Sequence, residues 1–341
     1  MEIQELKKND EKEWDAFVRE QDDATFFHLI GWKHVIENTY KHKSYYLIAR
    51  ENDEIKGILP LFLMKSRIFG KKLISIPFCD YGGVCANDEQ TRNFLIKEAK
   101  RITKEKGVDY LELRQLRGNC CGLITKDIYF TLVLDLKPDS EFLWMNFSKK
   151  VRNAIRKAIK SNLEVRMGKE YINEFYNIFS KNMRDLGTPV HSFGFFRSIL
   201  QEFPNQANIL ITGYEGKTIG AMFLLQFKDA IYAPWVSSDR RFFHLNPNNM
   251  LYWEAIKYGS EKGFKHFDFG RSKWNSGTFR FKKPWGAIPK QLYYSYYLNT
   301  IDDVPNLDPS NPKYSTLTQI WKKLPIQVAN IAGPKIRRNI P

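Results

Sequence analysis

The sequence predicts an α/β protein, of the α+β type, that contains two copies of one unit in tandem. The first observation is an internal repeat, in which residues 94–113 align without a gap to residues 250–269 and Glu98 matches Glu254. Each copy has the pattern of an amphipathic helix that ends at a glycine and continues into a short strand. The repeat therefore predicts the same helix and strand in both halves.

The second observation is a pair of matching β-hairpins upstream of that repeat. Residues 46–63 resemble residues 209–226, with Gly57 aligned to Gly220. Both stretches consist of two apolar runs joined by a polar turn, which is typical of a hairpin. Each half is therefore predicted to contain a hairpin, a further strand, a helix and a strand.

The domain boundaries follow from this duplication. We predict a first domain over residues 1–137, because the strand-like run FTLVLDL is followed by Lys137 and a proline, and a second domain over residues 138–298. Residues 299–341 are predicted to be a linker rich in Pro, Asp and Asn followed by a basic amphipathic tail. The tail is expected either to pack on the first domain or to touch an anionic lipid surface.

Composition limits the class of protein and its partners. A content of 43% hydrophobic and 15% aromatic residues is typical of a globular chain. The net charge of +15 favours an anionic partner, such as nucleic acid, a phosphorylated substrate or a membrane surface, over a basic surface kept for solubility. No apolar run approaches the roughly 20 residues of a membrane span, and the charged N-terminus lacks a signal peptide's apolar core. We expect a cytoplasmic protein.

Cysteine and histidine spacing predicts neither a metal site nor disulfides. Cys79, Cys85 and the adjacent Cys120 and Cys121 form no CxxC pair, and the six histidines show no ligand spacing. GxSxG, Walker and GxGxxG motifs are also absent, so a hydrolase, an NTPase and a dehydrogenase lack support. We expect reduced thiols, no metal and no cofactor.

The stretch FDFGRSKWNSGTFRFKKPWG, residues 267–286, contains the strongest candidate site. Ligands of α/β sheets bind beyond the carboxyl ends of strands, and a glycine at that point allows close approach. Arg271 and Lys273 follow such a strand end. Asp268 is either a general base or a structural carboxylate, and its match to Glu112 in the first copy favours the structural role.

Two further patterns predict anion binding. In CDYGGV, residues 79–84, the run Asp80, Tyr81 and Gly82 precedes another glycine, and such backbone can cradle an anion or form a plain turn. In the predicted helix after residue 147, cations share one face, while Val151, Ile155 and Ile159 form the other. This basic face, which would follow phosphates or be a solvated surface, contains Lys149, Arg152, Arg156 and Lys160.

The duplicated unit, closing on GTFRFKKPWG, resembles the FemABX family of aminoacyl transferases. The segments DFGRS (268–272) and GTPVHSFGFF (187–196) add to this resemblance. It implies two tandem GNAT-like domains, each a mixed, largely antiparallel sheet flanked by helices. It also implies transfer of an amino acid from aminoacyl-tRNA to an amine of a pyrophosphate-bearing peptidoglycan or envelope precursor, by a protein expected to be monomeric.

The resemblance also assigns individual residues. The family's Phe-Lys motif falls on Phe281 and Lys282, so that Lys282 would hold an acceptor carboxylate or stabilise an oxyanion. The loop at the precursor site contains His191. Lys33 and His34 lie in the region that contacts phosphates and compete for the position of the family's lysine. Lys283 is more simply explained as a cation on a solvated edge strand.

The donor is the remaining question of the sequence. GNAT enzymes that use acetyl-CoA have a glycine-rich loop ahead of the helix, whose amides bind the pyrophosphate. The corresponding residues 237–249 and 86–93 contain no glycine. An aminoacyl-tRNA donor is therefore favoured over the alternative, a GNAT-type enzyme that transfers an acyl group from a thioester to a sugar, peptide or lipid amine. A non-catalytic binder of envelope precursors or nucleic acid is the third possibility.

Overall fold

A computed structural model describes residues 1–116, 118, 122–305 and 315–341, and it forms two compact units. The first unit comprises residues 1–129, 291–307 and 338–341, and the second comprises residues 130–290 and 308–337. The chain thus leaves the first unit before the predicted boundary at residue 137, and it returns to that unit before residue 298. The reason is that the strands at both crossing points are divided between the units.

In chain order, the strands are β1 (Glu2–Glu5), β2 (Lys43–Glu51), β3 (Glu54–Ser66), β4 (Gly70–Ile74), β5 (Cys85–Ala86), β6 (Tyr110–Gln115), β7 (Ile124–Asp135), β8 (Glu164–Met167), β9 (Ala207–Tyr214), β10 (Lys217–Phe227), β11 (Ala230–Ser238), β12 (His266–Lys273) and β13 (Ile288–Leu298). The helices are α1 (Glu11–Glu20), α2 (Ile30–Tyr40), α3 (Glu89–Glu105), α4 (Ser140–Asn146), α5 (Lys149–Lys160), α6 (Ile172–Leu186), α7 (Phe193–Glu202), α8 (Pro247–Glu261), α9 (Gly277–Lys282), α10 (Ser315–Lys322) and α11 (Ile326–Arg337).

The first unit has a mixed sheet in the order β1-β2-β3-β4-β6-β13, with β5 paired to β3. Its strands are antiparallel except for the parallel pair β4 and β6. Helix α3 covers one face, and its buried side chains pack with those of β2, β3 and β6 in one core. The helix ends before Gly107, which has a positive φ of 55° and so gives the predicted left-handed cap.

The second unit repeats this arrangement in a sheet of the order β7-β12-β11-β10-β9-β8. Strands β11 and β12 are parallel, whereas β8, β9, β10 and β11 pair in an antiparallel manner. Helices α4, α5 and α8 pack against one apolar core that includes Trp285 and Phe267. Hairpin β9–β10, strand β11, helix α8 and strand β12 correspond in order to β2–β3, β4, α3 and β6. The predicted α/β class and the duplicated unit are confirmed.

The C-terminal tail packs mainly on the second unit, in contrast to the expectation that it covers the first domain. Both α10 and α11 lie against α6. Arg184 donates from Nη1 to the carbonyl of Leu324 at 3.2 Å, and Gly333 lies close to the backbone of Val190. Of the described residues after 314, those from Arg338 onward belong to the first unit, where Arg338 donates to the carbonyl of Tyr40 at 2.7 Å. An amphipathic pattern predicts an apolar helix face but not the surface that this face contacts.

The described ranges show neither a membrane-spanning helix nor a metal cluster. No helix there combines the length and the apolar character needed to cross a bilayer. The same residues contain no cluster of three or more His, Cys, Asp or Glu side chains suited to a metal ion. Cys79 and Cys85 are buried free thiols, whereas Cys120 and Cys121 lie outside the described residues.

Candidate active site

The second unit contains an opening between its two parallel strands. Strands β11 and β12 pair at three positions, from Ala230 with His266 to Tyr232 with Asp268. Beyond Asp268, β11 and β12 no longer pair with each other within the described residues. Strand β11 nevertheless continues to Ser238, paired with β10, and β12 continues to Lys273. Neighbouring strands that diverge expose backbone groups at their carboxyl ends, where ligands of α/β sheets bind.

In the first unit the chain fills the equivalent opening. Strands β4 and β6 pair as far as Ile74 with Glu112, so the two acids Glu112 and Asp268 hold the same register position. Beyond this point Ser75 donates its amide to the carbonyl of Glu112 at 2.9 Å. Gly82 then donates its amide to the carbonyl of Arg114 at 3.0 Å. Residues 75–83 therefore bond to β6 where β4 leaves it.

Glu112 is neutralised within the first unit by a buried cation. The Nε atom of Arg114 lies 2.8 Å from a carboxylate oxygen of Glu112, and both side chains are at most 6% exposed. The guanidinium also donates to the carbonyl of Cys79 at 2.9 Å and lies over the ring of Tyr294. Glu112 therefore has a structural role, as an ion pair beneath the filled opening.

Asp268, at the matching position of the second unit, bonds in a different way. Its Oδ1 atom accepts a hydrogen bond from the Thr131 hydroxyl and another from the amide of Gly270 at 2.7 Å. The carboxylate is almost fully buried. It links Thr131 of β7 to Gly270, which lies on β12 just beyond the last residue paired with β11. Two donors on one oxygen favour a structural carboxylate that fixes the strand end over a general base.

Lys282 occupies the second opening with a buried positive charge. Its side chain is 7% exposed, and its Nζ atom donates to the carbonyls of Gly270 at 2.8 Å and Arg271 at 3.1 Å. By the internal alignment, Gly270 corresponds to Arg114, whose carbonyl accepts the Gly82 amide in the first unit. The carbonyl of Gly270 thus accepts a hydrogen bond from the Lys282 ammonium, whereas the matching carbonyl of Arg114 accepts one from a backbone amide.

Lys282 reaches this position because residues 277–282 form a helix, which corrects the interpretation of the segment as an edge strand. The Ser276 hydroxyl caps α9 by accepting the amide of Phe279 at 3.2 Å. Phe279 and Lys282, three residues apart, then share the buried face. Arg280 and Lys283 are exposed because they lie on the outer side of this helix and of the 3-10 turn that follows it.

The neighbours of Lys282 differ in their surroundings. Phe281 is half-buried, with its ring 5.4 Å from that of Tyr252, and thus contributes to the core. Arg271 and Lys273 are half-buried at the end of β12. Trp274 is 64% exposed and packs one side against Phe279 at 4.7 Å. The structure therefore brings the Lys282 ammonium to the backbone of Gly270 and Arg271, next to Asp268.

Sequence reasoning missed two residues of this cluster. Thr131 bonds to Asp268 from 137 residues away, and its only sequence signal is a polar residue inside the apolar run FTLVLDL. Trp274 has the plainer signal of a tryptophan between two cations and an Asn-Ser turn. Neither signal names a partner.

Helix α5 exposes Lys149, Arg156 and Lys160 of its predicted cationic face, whereas Arg152 is half-buried. Arg156 lies over the ring of Trp144, and Arg152 approaches the sulfur of Met145 at 3.9 Å. The opposite face differs from the prediction, since Ala158 joins Val151 and Ile155 in the interior while Ile159 is exposed. The helix begins next to the Lys282 segment, because the amide of Ser148 donates to the carbonyl of Pro284 at 3.2 Å.

His191 lies in the packing between α6, α7 and α11. Its Nε2 accepts a hydrogen bond from Nε of Arg337 at 3.1 Å, and its ring stacks on Phe195 with 4.6 Å between centroids. Burial, and secondarily the charge of Arg337, holds the pKa of His191 well below its ordinary value. A neutral, packed imidazole fits a structural role better than the substrate-binding role that the resemblance implies.

The buried His191 is expected to make the protein less stable in mild acid. Because its folded-state pKa lies below that of the unfolded chain, the unfolded chain takes up the proton first. The neutral imidazole therefore makes its full contribution to the free energy of unfolding above about pH 6.5. As the pH falls below this value, the free energy of unfolding decreases by about 1.4 kcal/mol per pH unit. Urea unfolding at about pH 7.5 and about pH 5.5 measures this loss.

Substitution separates His191 from the other histidines. His191→Gln can still accept the Arg337 hydrogen bond but does not titrate, so the loss between the two pH values should shrink. His42, whose pKa is also lowered by burial, is expected to contribute to the part that persists. The exposed His244, changed to glutamine, is the matched control. An unchanged loss in His191→Gln would contradict this account.

The first-unit candidates Lys33 and His34 lie among acids. Lys33 Nζ is 3.0 Å from Glu37, and His34 Nε2 is 3.3 Å from Glu11. Glu37 also accepts a hydrogen bond from the Ser44 hydroxyl. Both candidates thus lie beside carboxylates, so the structure gives them no special fit to a phosphate.

The candidates Asp80, Tyr81 and Gly82 belong to the segment that fills the first opening. The carbonyl of Asp80 accepts the Tyr294 hydroxyl at 2.6 Å, and the amide of Gly82 is already bonded to β6. Tyr81 and Gly82 also line a small cleft together with Arg92. These contacts favour the turn over the anion cradle.

The segment ahead of α8 holds a carboxylate where acetyl-CoA enzymes place phosphate-binding amides. Asp239 caps the 3-10 turn of residues 240–245 and lies 2.7 Å from both Arg241 and Lys181. Its hydrogen bonds with Arg241, despite partial burial, lower the pKa of Asp239 below its ordinary value. The carboxylate also accepts the backbone amide of Arg241 at 3.1 Å, so that this amide is already bonded within the protein.

The parallel strands β11 and β12, which separate at one end, and helix α8, which connects them, define a class of fold. A family model described as an acetyltransferase (GNAT) domain matches residues 145–283, which span most of the second unit. The other unit repeats the same order of elements. The second unit therefore contains a GNAT domain, and the fold that the FemABX resemblance implies, two GNAT-like units in tandem, is confirmed.

Solved structures with this fold extend over nearly the whole chain. The crystal structure of FemX is similar with a TM-score of 0.71 and 15% identity, covering 94% of this chain and 100% of that chain. L-PGS from Bacillus licheniformis follows with a TM-score of 0.56, 13% identity and coverage of 94% and 99%. A tandem GNAT protein from the clavulanic acid biosynthesis pathway has a TM-score of 0.55, 10% identity and coverage of 89% and 99%.

Comparison with curated proteins gave no match. Identities of this size establish the fold alone, and the match to an acetyltransferase (GNAT) domain supports an N-acyltransferase.

Proposed function

We propose that the protein transfers an aminoacyl group from aminoacyl-tRNA to an amine of a pyrophosphate-bearing cell-envelope precursor, such as a peptidoglycan intermediate, and so forms a peptide bond. It acts as a monomer on the cytoplasmic side of the membrane. The observation that carries this proposal is the open strand pair of the second unit with the buried Lys282 ammonium at its edge.

The chemistry needs little more than positioning and a positive charge. The acceptor amine attacks the ester carbonyl of the charged tRNA, the new C–N bond forms, and the C–O bond to the terminal ribose breaks. The ribose oxygen leaves as a hydroxyl, and the proton that it gains balances the one that the amine loses to water or substrate. Lys282 stabilises the oxyanion of the intermediate, as fixed charge does in acyl transfer.

The other residues of the cluster support this site. Asp268 fixes the Gly270 amide through its own hydrogen bond, and the Gly270 carbonyl in turn holds Lys282. Arg271 and Lys273, at the end of the same strand, supply positive charge for an anionic acceptor. The basic face of α5, with Arg152 and Arg156, lies on the helix whose N-cap residue Ser148 donates its amide to the carbonyl of Pro284.

A thioester enzyme is the second candidate, because the GNAT family model covers the second unit. The carboxylate of Asp239 and the absence of glycine in residues 237–249 argue against it. The names of the similar structures leave both donors open, since FemX and a tandem GNAT protein have the same fold.

Acetyl-CoA is expected to bind weakly or not at all, and aminoacyl-tRNA to bind more tightly. The reason is that residues 237–249 contain no glycine and that Asp239 already accepts the Arg241 amide, so the segment lacks the glycine-rich row of amides that binds a pyrophosphate. Isothermal calorimetry with acetyl-CoA, beside filter binding with charged and uncharged tRNA, measures both. Micromolar affinity for acetyl-CoA, on the order of an ordinary substrate KM, would overturn the tRNA donor in favour of the thioester enzyme.

A further inference from the structure

Helices α4 and α5 together present a surface of exposed apolar side chains beside cations. Phe142 is 51% exposed and Met145 is 69% exposed on α4, and Ile159 is 49% exposed on α5. Arg152 contacts the sulfur of Met145, and Arg156 and Ile159 follow at helical spacing on the same side of α5. We call these five residues, with Lys149 and Lys160, the α4–α5 surface.

Such a combination differs from an ordinary solvated helix. Soluble proteins scatter single apolar residues over their surface, whereas neighbouring large apolar residues bordered by charge mark an interaction site. Leu143 and Phe147 already bury the inner face of α4 in the core, so Phe142 and Met145 are not needed there. The exposed parts of Phe142 and Met145 are therefore available as contact area for a partner.

The charges of this surface favour an anionic partner. All ionisable side chains of α5 are cationic, and Lys149, Lys150, Arg156, Lys157 and Lys160 are exposed. The acids of the two helices and their N-cap are Asp139, which caps α4 through the amide of Glu141, and Glu141 itself. Both stand at the far end of α4 from α5.

The C-terminal tail is a weaker candidate for the same partner, although its Leu317 and Ile320 are exposed. Part of its charge is committed inside the protein. Arg337 donates to His191, and Arg338 donates to the carbonyl of Tyr40. The cations of α5 instead point outward beside the apolar residues.

We propose that the α4–α5 surface docks the protein on an anionic phospholipid membrane, with Phe142 and Met145 inserted at the headgroup boundary. Amphipathic helices with cations around an apolar edge bind such interfaces, where cations add attraction to anionic headgroups. RNA would use the cations but would leave Met145 and Ile159 without a role. The start of α5 bonds to Pro284, so docking would hold the Lys282 segment near the lipid surface.

Vesicle co-sedimentation tests this inference without turnover, so its outcome is independent of the proposed reaction. Wild-type protein should bind phosphatidylglycerol vesicles and not phosphatidylcholine vesicles. The double variant Phe142→Ser/Met145→Ser should bind about tenfold more weakly or worse, because two apolar side chains no longer leave water. Lys149→Gln and Arg156→Gln should each weaken binding about fivefold.

Two matched controls make the result specific. Ile68→Ser removes an exposed apolar residue of the first unit, and Leu317→Ser/Ile320→Ser removes the exposed pair of α10. Both should bind like wild type, with circular dichroism confirming that every variant is folded. Loss of binding in the tail variant alone would overturn the proposal in favour of the tail. Absence of vesicle binding, with uncharged tRNA binding lost in the α4–α5 variants, would identify an RNA surface instead.

Discussion

Lys282→Ala is expected to lower the rate of acyl transfer about a hundredfold, equivalent to about 3 kcal/mol in the transition state, in a protein that still folds. The ammonium is buried and held by two backbone carbonyls at the edge of the open strand pair. Its charge is therefore in place before the reaction and cannot be replaced by water at low cost. Single-turnover rates with saturating substrates measure this effect.

Removing Lys282 also leaves the carbonyls of Gly270 and Arg271 without this donor. Each buried acceptor left unsatisfied costs about 1–3 kcal/mol, so the variant should unfold at a lower temperature. Activity is therefore compared well below the unfolding midpoint of the variant, with circular dichroism as the check on folding.

The neighbouring lysine and a conservative change serve as controls for Lys282. Lys283→Ala should be nearly as active as wild type, because Lys283 is exposed on the outer side of the turn. Lys282→Arg should recover little activity, since a planar guanidinium cannot occupy the site of a compact ammonium. A folded Lys282→Ala protein with turnover within about threefold of wild type would limit Lys282 to a structural role.

Arg114→Leu is expected to destabilise the protein by about 3–5 kcal/mol, because it leaves the Glu112 carboxylate buried without its cation. The guanidinium also bonds to the carbonyl of Cys79, so the segment that fills the first opening loses an anchor. Urea unfolding at neutral pH measures the change.

The double variant Glu112→Leu/Arg114→Leu should recover much of this loss, since it removes both buried charges. Arg101→Ala breaks exposed pairs with Glu98 and Glu105 and should change stability little, which makes it the surface control. If Arg114→Leu were as stable as Arg101→Ala, the buried ion pair would not hold the first opening closed.

The internal repeat makes much of the fold predictable. Its two aligned segments locate both parallel strands and both preceding helices, and they match Glu112 to Asp268, which the strand pairing places at the same register position. A repeat is informative because two different sequences must both be compatible with the same backbone conformation. The capping glycines Gly107 and Gly263 both adopt the left-handed conformation for the same reason.

The helix at residues 277–282 shows where local patterns mislead. Thr278, Phe279 and Phe281 have high strand propensity, which favours an edge strand. Ser276 at the N-cap and Pro284 after the helix instead favour a short helix, and the structure shows the capped helix. Which of the three cations Arg280, Lys282 and Lys283 is buried depends on this choice.

Partners distant in sequence could not be predicted. Arg337 bonds to His191 across 146 residues, and Lys33 and His34 meet Glu11 on another helix. Amphipathic patterns and motif resemblance identify which residues are unusual. They do not predict which distant residue will pair with a given side chain. The contacts of His191 and Gly82 are therefore visible only in the folded chain.

The mass of an envelope-precursor amine incubated with the protein and charged tRNA tests the aminoacyl transfer most directly. We predict that the acceptor gains the mass of one amino-acid residue through an alkali-stable amide bond. The gain should disappear with uncharged tRNA and fall about a hundredfold in rate with Lys282→Ala. An acceptor that is unchanged by charged tRNA but acetylated from acetyl-CoA by the same protein would contradict the account.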